Sequence, residues 1–157
     1  MSRPVSITLL LLAVTAVAAG FVITRSPEAA GEPAITVHKT PWCGCCNDWV
    51  DHLRADGFSV TVYEHEDLSP IRSRLDVPLA LGSCHTAEVD GYAIEGHVPA
   101  ADIRRLLAER PESVRGLAVP GMPVGSPGME MGDRKDPYDV VAFGDRGHEV
   151  FTRYRPE

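Results

Sequence analysis

Residues 34–57 read AITVHKTPWCGCCNDWVDHLRADG, and this stretch decides the fold. It opens with Ala34 to Lys39, a short run rich in β-branched residues that predicts a strand. Thr40-Pro41-Trp42-Cys43 ends that strand. Cys46, Trp49, Val50 and Leu53 then recur at i, i+3, i+4 and i+7, the spacing of one apolar helix face. Gly57 supplies the C-cap. Cys43-Gly44-Cys45-Cys46 therefore falls at a strand-to-helix turn, where helix N-terminal amides and the macrodipole favour thiolates and lower their pKa.

Working outward, Phe58 to Tyr63 alternates apolar and polar residues and predicts a second strand. Ser69-Pro70 starts a short helix over Ile71 to Leu75. Cys84 to Val89 and Tyr92 to His97 flank Asp90-Gly91, a strong two-residue hairpin signal. Pro99 opens a helix carrying Ile103, Leu106 and Leu107 on one face. This order of elements, with Trp42-Cys43-x-x-Cys46 at the first strand–helix junction, resembles the thioredoxin fold over roughly residues 34–110. After Gly116 the composition shifts: residues 117–137 are dense in Gly and Pro, and no regular element is expected there. Tyr138 to Phe143 and His148 to Tyr154 predict a closing hairpin. The expected architecture is α/β, a thioredoxin-like domain at 34–116. Residues 117–157 form a C-terminal extension, made of a Gly/Pro/Met-rich loop and a β-hairpin, that contributes to the site.

Residues 1–30 read as a secretory signal peptide or an N-terminal membrane anchor. Arg3 gives a basic start, Ile7 to Ala19 is apolar, and Ala16-Val17-Ala18 offers a signal-peptidase site. Val5 to Thr24 carries no charge and is long enough to span a bilayer, so anchorage stays open. Both readings put the remainder outside the cytoplasm and predict a periplasmic location. The 157 residues fit one compact domain with a short appendage. A hydrophobic fraction of 44% is too high for a disordered chain. The net charge of −7 argues against nucleic acid as a partner.

The sulfur atoms carry the chemistry. Apart from Met1 they fall in three places: residues 43–46, Cys84, and the window from Met122 to Met131. Cys43 and Cys46 form a C-x-x-C pair suited to dithiol–disulfide chemistry, which assigns them the catalytic role if the protein is an enzyme. A structural disulfide and metal-free thiol redox are competing readings. The third thiol, Cys45, favours soft-metal capture, because it would invite mispairing in a dithiol oxidoreductase. Cys84-His85 occupies about the place where thioredoxin-like proteins carry a cis-proline. If Val89 pairs with Tyr92, Cys84 lies opposite His97, within the 4.5–5.5 Å reach of directly opposed Cβ atoms, and both can bind one ion. A register slip of one residue destroys that pairing. His85 is the weaker candidate, because Ala87, Val89, Tyr92 and Ile94 put its face in the core. Met122, Met129 and Met131 lie in a loop with no core to fill. Thiolates and thioethers select Cu(I), whereas zinc has little use for methionine. His38, His52, His65 and His148 look scattered and solvated, and Trp42 and Trp49 are expected to pack around the site.

Assembled, the chain resembles the CopG-type periplasmic copper proteins, a family formerly of unknown function. Four strings carry the resemblance: Cys43-Gly-Cys-Cys46 with Trp49; Ser83-Cys84-His85-Thr86-Ala87; Glu95-Gly-His97-Val-Pro99; and Val119-Pro-Gly-Met122-Pro-Val-Gly-Ser-Pro-Gly-Met129-Glu. The resemblance implies a C-terminal extension folded back over a cysteine-bound copper site and a role in copper resistance, interconverting Cu(I) and Cu(II) ahead of efflux. The ligands expected are Cys43, Cys45, Cys46, Cys84 and His97, with Met122, Met129 and Met131 from the loop and His85 as an outside candidate. The expected partners are copper ions and components of copper efflux, with the chain a monomer and any membrane contact confined to the N-terminal segment. Two alternatives stand beside this reading: a copper carrier or storage module without catalysis, and a metal-free thiol–disulfide oxidoreductase.

Overall fold

The computed structural model describes residues 33–156. The signal or anchor expected at 1–30 lies outside them. Ten elements follow one another: β1 (Ala34–Lys39), α1 (Gly44–Ala55), β2 (Ser59–Glu64), α2 (Ser69–Arg74), β3 (His85–Val89), β4 (Tyr92–Glu95), α3 (Ala100–Glu109), β5 (Val114–Ala118), β6 (Tyr138–Gly144) and β7 (Gly147–Tyr154). A single 3-10 turn, Leu79–Leu81, stands between α2 and β3.

The strands form one seven-stranded mixed sheet in the order β2-β1-β3-β4-β5-β6-β7. Strands β1 and β2 are parallel, β3 runs antiparallel to β1, and β4 antiparallel to β3. The parallel β1/β2 and β4/β5 pairs each need a crossover, and α1 and α3 supply them. This arrangement is compatible with the thioredoxin-like expectation. Among the described residues there is no cis peptide bond.

Two apolar layers sandwich the sheet. Ile35 and Val37 of β1, Ala87 and Val89 of β3, and Ile94 of β4 face Trp49, Val50 and Leu53 of α1 and Ile103 and Leu106 of α3. Complete burial of such a side chain contributes roughly 1.5–3 kcal/mol, so the i, i+3, i+4, i+7 stripe of α1 suffices to seat it. On the other face Val77 and Leu81 cover Ala93, Ala118 and Phe143.

Strand β5 is the element the sequence did not predict. Gly116, after which the composition shifts, lies inside this strand. A Cβ there would collide with the Ala93 carbonyl and come within 2.6 Å of the Phe143 ring, so the missing side chain is what lets three strands pack. The expected boundary at 116 therefore falls within β5. Strands β6 and β7 continue the same sheet, and the extension is part of it.

The added strand determines where the loop goes. Lys39 pairs with His85, Thr86 with Glu95, and Glu95 with Ala118. The C-terminal ends of β1, β4 and β5 and the start of β3 thus share one edge of the fold. Residues 43–46, 84, 97 and 119–137 all issue from that edge. No helix among the described residues is long and apolar enough to cross a membrane.

Candidate metal centre

Helix α1 presents the cysteine turn. Cys43 is its N-cap residue, with extended backbone and no side-chain cap. Cys46 is fully buried under the sheet, and Cys43 and Cys45 are half-buried. Cys43 and Cys46 form a disulfide with Cα atoms 5.5 Å apart, while Cys45 and Cys84 are free thiols. The Cys45 Sγ lies 3.6 Å from the Cys43 Sγ. One ligand atom from each of Cys43, Cys45, Cys46 and Cys84 lies within 4.8 Å of all the others.

The hairpin brings in the second donor group. Val89 pairs with Tyr92, and the ladder continues to Thr86 and Glu95. One step further Gly96 N–H donates to the His85 carbonyl at 2.9 Å, and Cys84 then meets His97. The Cys84 Sγ is 3.0 Å from His97 Nε2 and 3.3 Å from His85 Nδ1. These three side chains form a second group of the same compactness, so Cys84 belongs to both groups. The register expected from the Asp90-Gly91 turn is the one observed.

The protonation of this group follows from its contacts. The Pro127 carbonyl can only accept, so the 2.7 Å bond assigns the proton of His97 to Nδ1 and leaves the Nε2 lone pair facing Cys84. Metal-bound histidines commonly donate their other ring N–H to a backbone carbonyl in this way. Burial pushes the pKa of His85 well below its ordinary value, and the adjacent His97 adds to the effect. Burial also lowers His97, against a smaller opposing effect of the Pro127 bond. Both rings are therefore neutral donors near pH 7. Burial, with the Cys45 thiol beside it, pushes the Cys84 thiol up to about 12, so an incoming cation displaces a proton there.

His85 is buried, as the hairpin pattern suggests. It is fully buried against the Trp49 ring, with centroids 4.2 Å apart, and its Nε2 has no hydrogen-bond partner. A buried unpaired polar atom costs about 1–3 kcal/mol, which marks His85 as more than a satisfied core histidine. Trp49 is held by its indole N–H on the Val98 carbonyl at 2.9 Å. Trp42, expected to pack at the site, is instead 71% exposed.

The Gly/Pro loop is fixed over this centre at three points. Ser83 Oγ donates to the Gly121 carbonyl, His97 holds Pro127, and Gly128 lies on the first turn of α1. A Cβ on Gly128 would stand 2.6 Å from Trp49 N and 2.9 Å from the Cys45 carbonyl. Only a glycine, here at φ +79°, permits that approach. Met129 follows immediately and is half-buried. Met122 and Met131 are exposed by 55% and 62%.

The remaining histidines are mostly engaged elsewhere rather than solvated. His38 and His65 share a 2.9 Å ring-to-ring hydrogen bond. His52 Nε2 accepts from the Ala100 N–H at the start of α3. His148 is exposed, as expected.

The donor set is soft sulfur with two neutral imidazoles, and by its chemistry it fits a thiophilic ion such as copper. Fold and site together define an α/β protein with a Cys/His centre at one edge of its sheet. Residues 81–129 match the model of a family described as "Protein of unknown function, DUF411". Two solved structures of the copper resistance protein CopG are similar over nearly their whole length. Form 2 is 52% identical with a TM-score of 0.75, covering 79% of this chain and 99% of that one. Form 1 is 54% identical with the same TM-score, covering 80% and 100%. The chain belongs to the CopG family of copper resistance proteins. A short stretch of 32 residues is also 56% identical to a UPF0316 protein of Bacillus thuringiensis (strain Al Hakam), covering 20% of this chain and 18% of that protein. The chain thus spans under a fifth of the curated relatives it matches, and no function is taken from them.

Proposed function

We propose that the protein binds copper in the periplasm and interconverts Cu(I) and Cu(II) as part of copper resistance. The observation that carries this reading is the convergence of four cysteine sulfurs, one of them shared with two neutral imidazoles. Cys43, Cys45, Cys46 and Cys84 are the thiolate ligands in the reduced chain, and sulfur can bridge more than one ion. His97 completes the site through Nε2, and His85 Nδ1 is a further donor. Met129 is the first methionine to close on it, with Met122 and Met131 exposed for capture. The name carried by the two CopG structures supports copper as the cargo.

The electron balance is simple. Oxidation of the Cys43/Cys46 dithiol to the disulfide releases two electrons and two protons, which reduce two Cu(II) to two Cu(I). The reverse reaction runs with the same balance. The disulfide between these two cysteines supports their role as the redox pair.

Anaerobic titration of the reduced chain with Cu(I) tests the reading. Stoichiometric uptake that is lost in the C43S/C45S/C46S variant is expected. An absence of uptake, or uptake indifferent to that variant, overturns it. The same disulfide favours one second reading, a metal-free thiol–disulfide oxidoreductase. That reading predicts insulin reduction without copper, whereas a carrier predicts tight Cu(I) binding without redox turnover.

A further inference from the structure

The fold buries a carboxylate directly beneath the copper-binding hairpin, and its partners converge on one residue. Glu95 is fully buried at the end of β4. Its Oε1 accepts from the Ser83 backbone N–H at 2.6 Å and from Arg72 Nε at 2.9 Å. Its Oε2 accepts from Thr86 Oγ1 at 2.6 Å. Arg72 reaches past the carboxylate, and its Nη2 donates to the Ser83 carbonyl at 2.5 Å. Both backbone polar groups of Ser83 are thereby held by one ion pair.

Burying an ion pair costs several kcal/mol per ion before its partners repay it, so a sheet of this size gains little stability from doing so. Asp102, the other buried carboxylate among the described residues, has a plain structural use, since it accepts from Thr152 Oγ1 and the Tyr154 hydroxyl and docks β7 on α3. Glu95 and Arg72 instead grip the residue before Cys84. The Ser83 carbonyl belongs to the peptide plane that leads into Cys84. Fixing both ends of Ser83 fixes the Cys84 Cα and the direction of its thiol. Ser83 also packs on Gly96, where a Cβ would meet its Oγ at 2.5 Å, and its hydroxyl carries the Gly121 tether of the loop. One residue thus holds the cysteine common to both donor groups and the entry of the loop above it.

We propose that Arg72 and Glu95 are positioning residues that clamp Ser83 and so aim Cys84 between the α1 cysteines and the two histidines. The proposal rests on the reading of Cys84 as a copper ligand, yet its first measurement needs no copper. In the full chain with the Cys43–Cys46 disulfide intact, the free thiols Cys45 and Cys84 are labelled with maleimide and resolved by peptide mass spectrometry. The expected result is a severalfold rise in the Cys84 rate relative to Cys45 in Glu95→Ala. Glu95→Gln keeps an oxygen for the Ser83 N–H and changes the ratio less. Arg72→Lys keeps the charge but cannot span Glu95 and the Ser83 carbonyl, so it resembles Glu95→Ala. In the reduced chain the same variants weaken Cu(I) by about 10- to 100-fold, the usual range for residues supporting a metal ligand, and shift the sulfur-to-copper absorption. If Glu95→Ala does not fold, Arg72→Lys and Glu95→Gln decide. Folded variants with an unchanged labelling ratio and an unchanged Cu(I) spectrum overturn the proposal. A wild-type chain that takes up no Cu(I) removes the functional reading, while the labelling ratio still decides the clamp.

Discussion

The two sides of the centre are held in place by different physics. On one side Cys43, Cys45, Cys46, Cys84, His85 and His97 sit at the ends of regular elements, where ladder hydrogen bonds and buried apolar neighbours fix the backbone. On the other, residues 119–137 have one isolated bridge, between Met131 and Arg134, and four glycines at positive φ. This side is ordered by its tethers to Ser83, His97 and the α1 turn. If the centre binds copper as proposed, the contrast puts the stronger ligands on the first side. The second orients His97 through the Pro127 carbonyl.

The largest expected effect comes from striking the first side where its two donor groups meet. Cys84→Ser takes one sulfur from each group and leaves His85 and His97 without a thiolate partner. Cu(I) affinity, measured by anaerobic competition with a chelator, is expected to fall by more than about 100-fold, beyond the range of supporting-residue changes. A smaller loss than that of any methionine variant would reverse the ranking of the two sides.

Next comes the seat of the loop. Gly128→Ala forces a Cβ against backbone atoms that cannot move, at a φ that L-residues rarely adopt. The cost is about 1–3 kcal/mol. A lower Tm and faster proteolysis within 119–137 are expected, with far-UV circular dichroism unchanged. Wild-type proteolysis in this variant would mean that the loop is not anchored at α1.

The first side was largely legible in the sequence and the second was not. Two-residue turns fix register, so Asp90-Gly91 was enough to set Cys84 against His97. The helix stripe from Cys46 to Leu53 likewise predicted which face of α1 is buried. Strand β5 escaped because it is five residues long and contains Gly116, whose role depends on Phe143 and Ala93, remote in sequence. The Arg72–Glu95 clamp escaped for a related reason. Nothing in the sequence marks Glu95 as buried, and only its contacts with Arg72, Ser83 and Thr86, remote in sequence, reveal it. The tethers of the loop are contacts to backbone carbonyls, which carry no side-chain signature.

The methionines give a finer test of the same contrast. Met129→Ala removes the half-buried thioether that follows Gly128, and a loss of about tenfold in Cu(I) affinity, or ~1.4 kcal/mol, is expected. Met122→Ala and Met131→Ala remove exposed side chains and are expected to slow uptake at low copper more than they weaken equilibrium binding. Equal effects at all three positions would make the loop a uniform ligand strand rather than a seated cap.

The smallest effect is a pH dependence of the metal-free chain, and it too separates the two sides. Burial lowers the pKa of His85, His97, His52 and His38, so each is held neutral in the fold. Unfolded histidines titrate near the ordinary value of about 6.5. Below that pH the unfolded chain binds more protons than the folded one, so stability falls as pH falls. Glu95 works in the opposite direction: burial raises its pKa, so acidification protonates it first in the fold and relieves part of its desolvation cost. The Pro127 carbonyl raises His97 and shrinks its share of the slope, whereas burial and the adjacent His97 hold His85 well below its ordinary value. Urea midpoints at pH 7.5 and 5.5 are expected to differ in the wild type and to differ less in His85→Phe, whose ring keeps the packing against Trp49. An equal drop in both proteins would move the slope away from the hairpin and onto the histidines outside the centre.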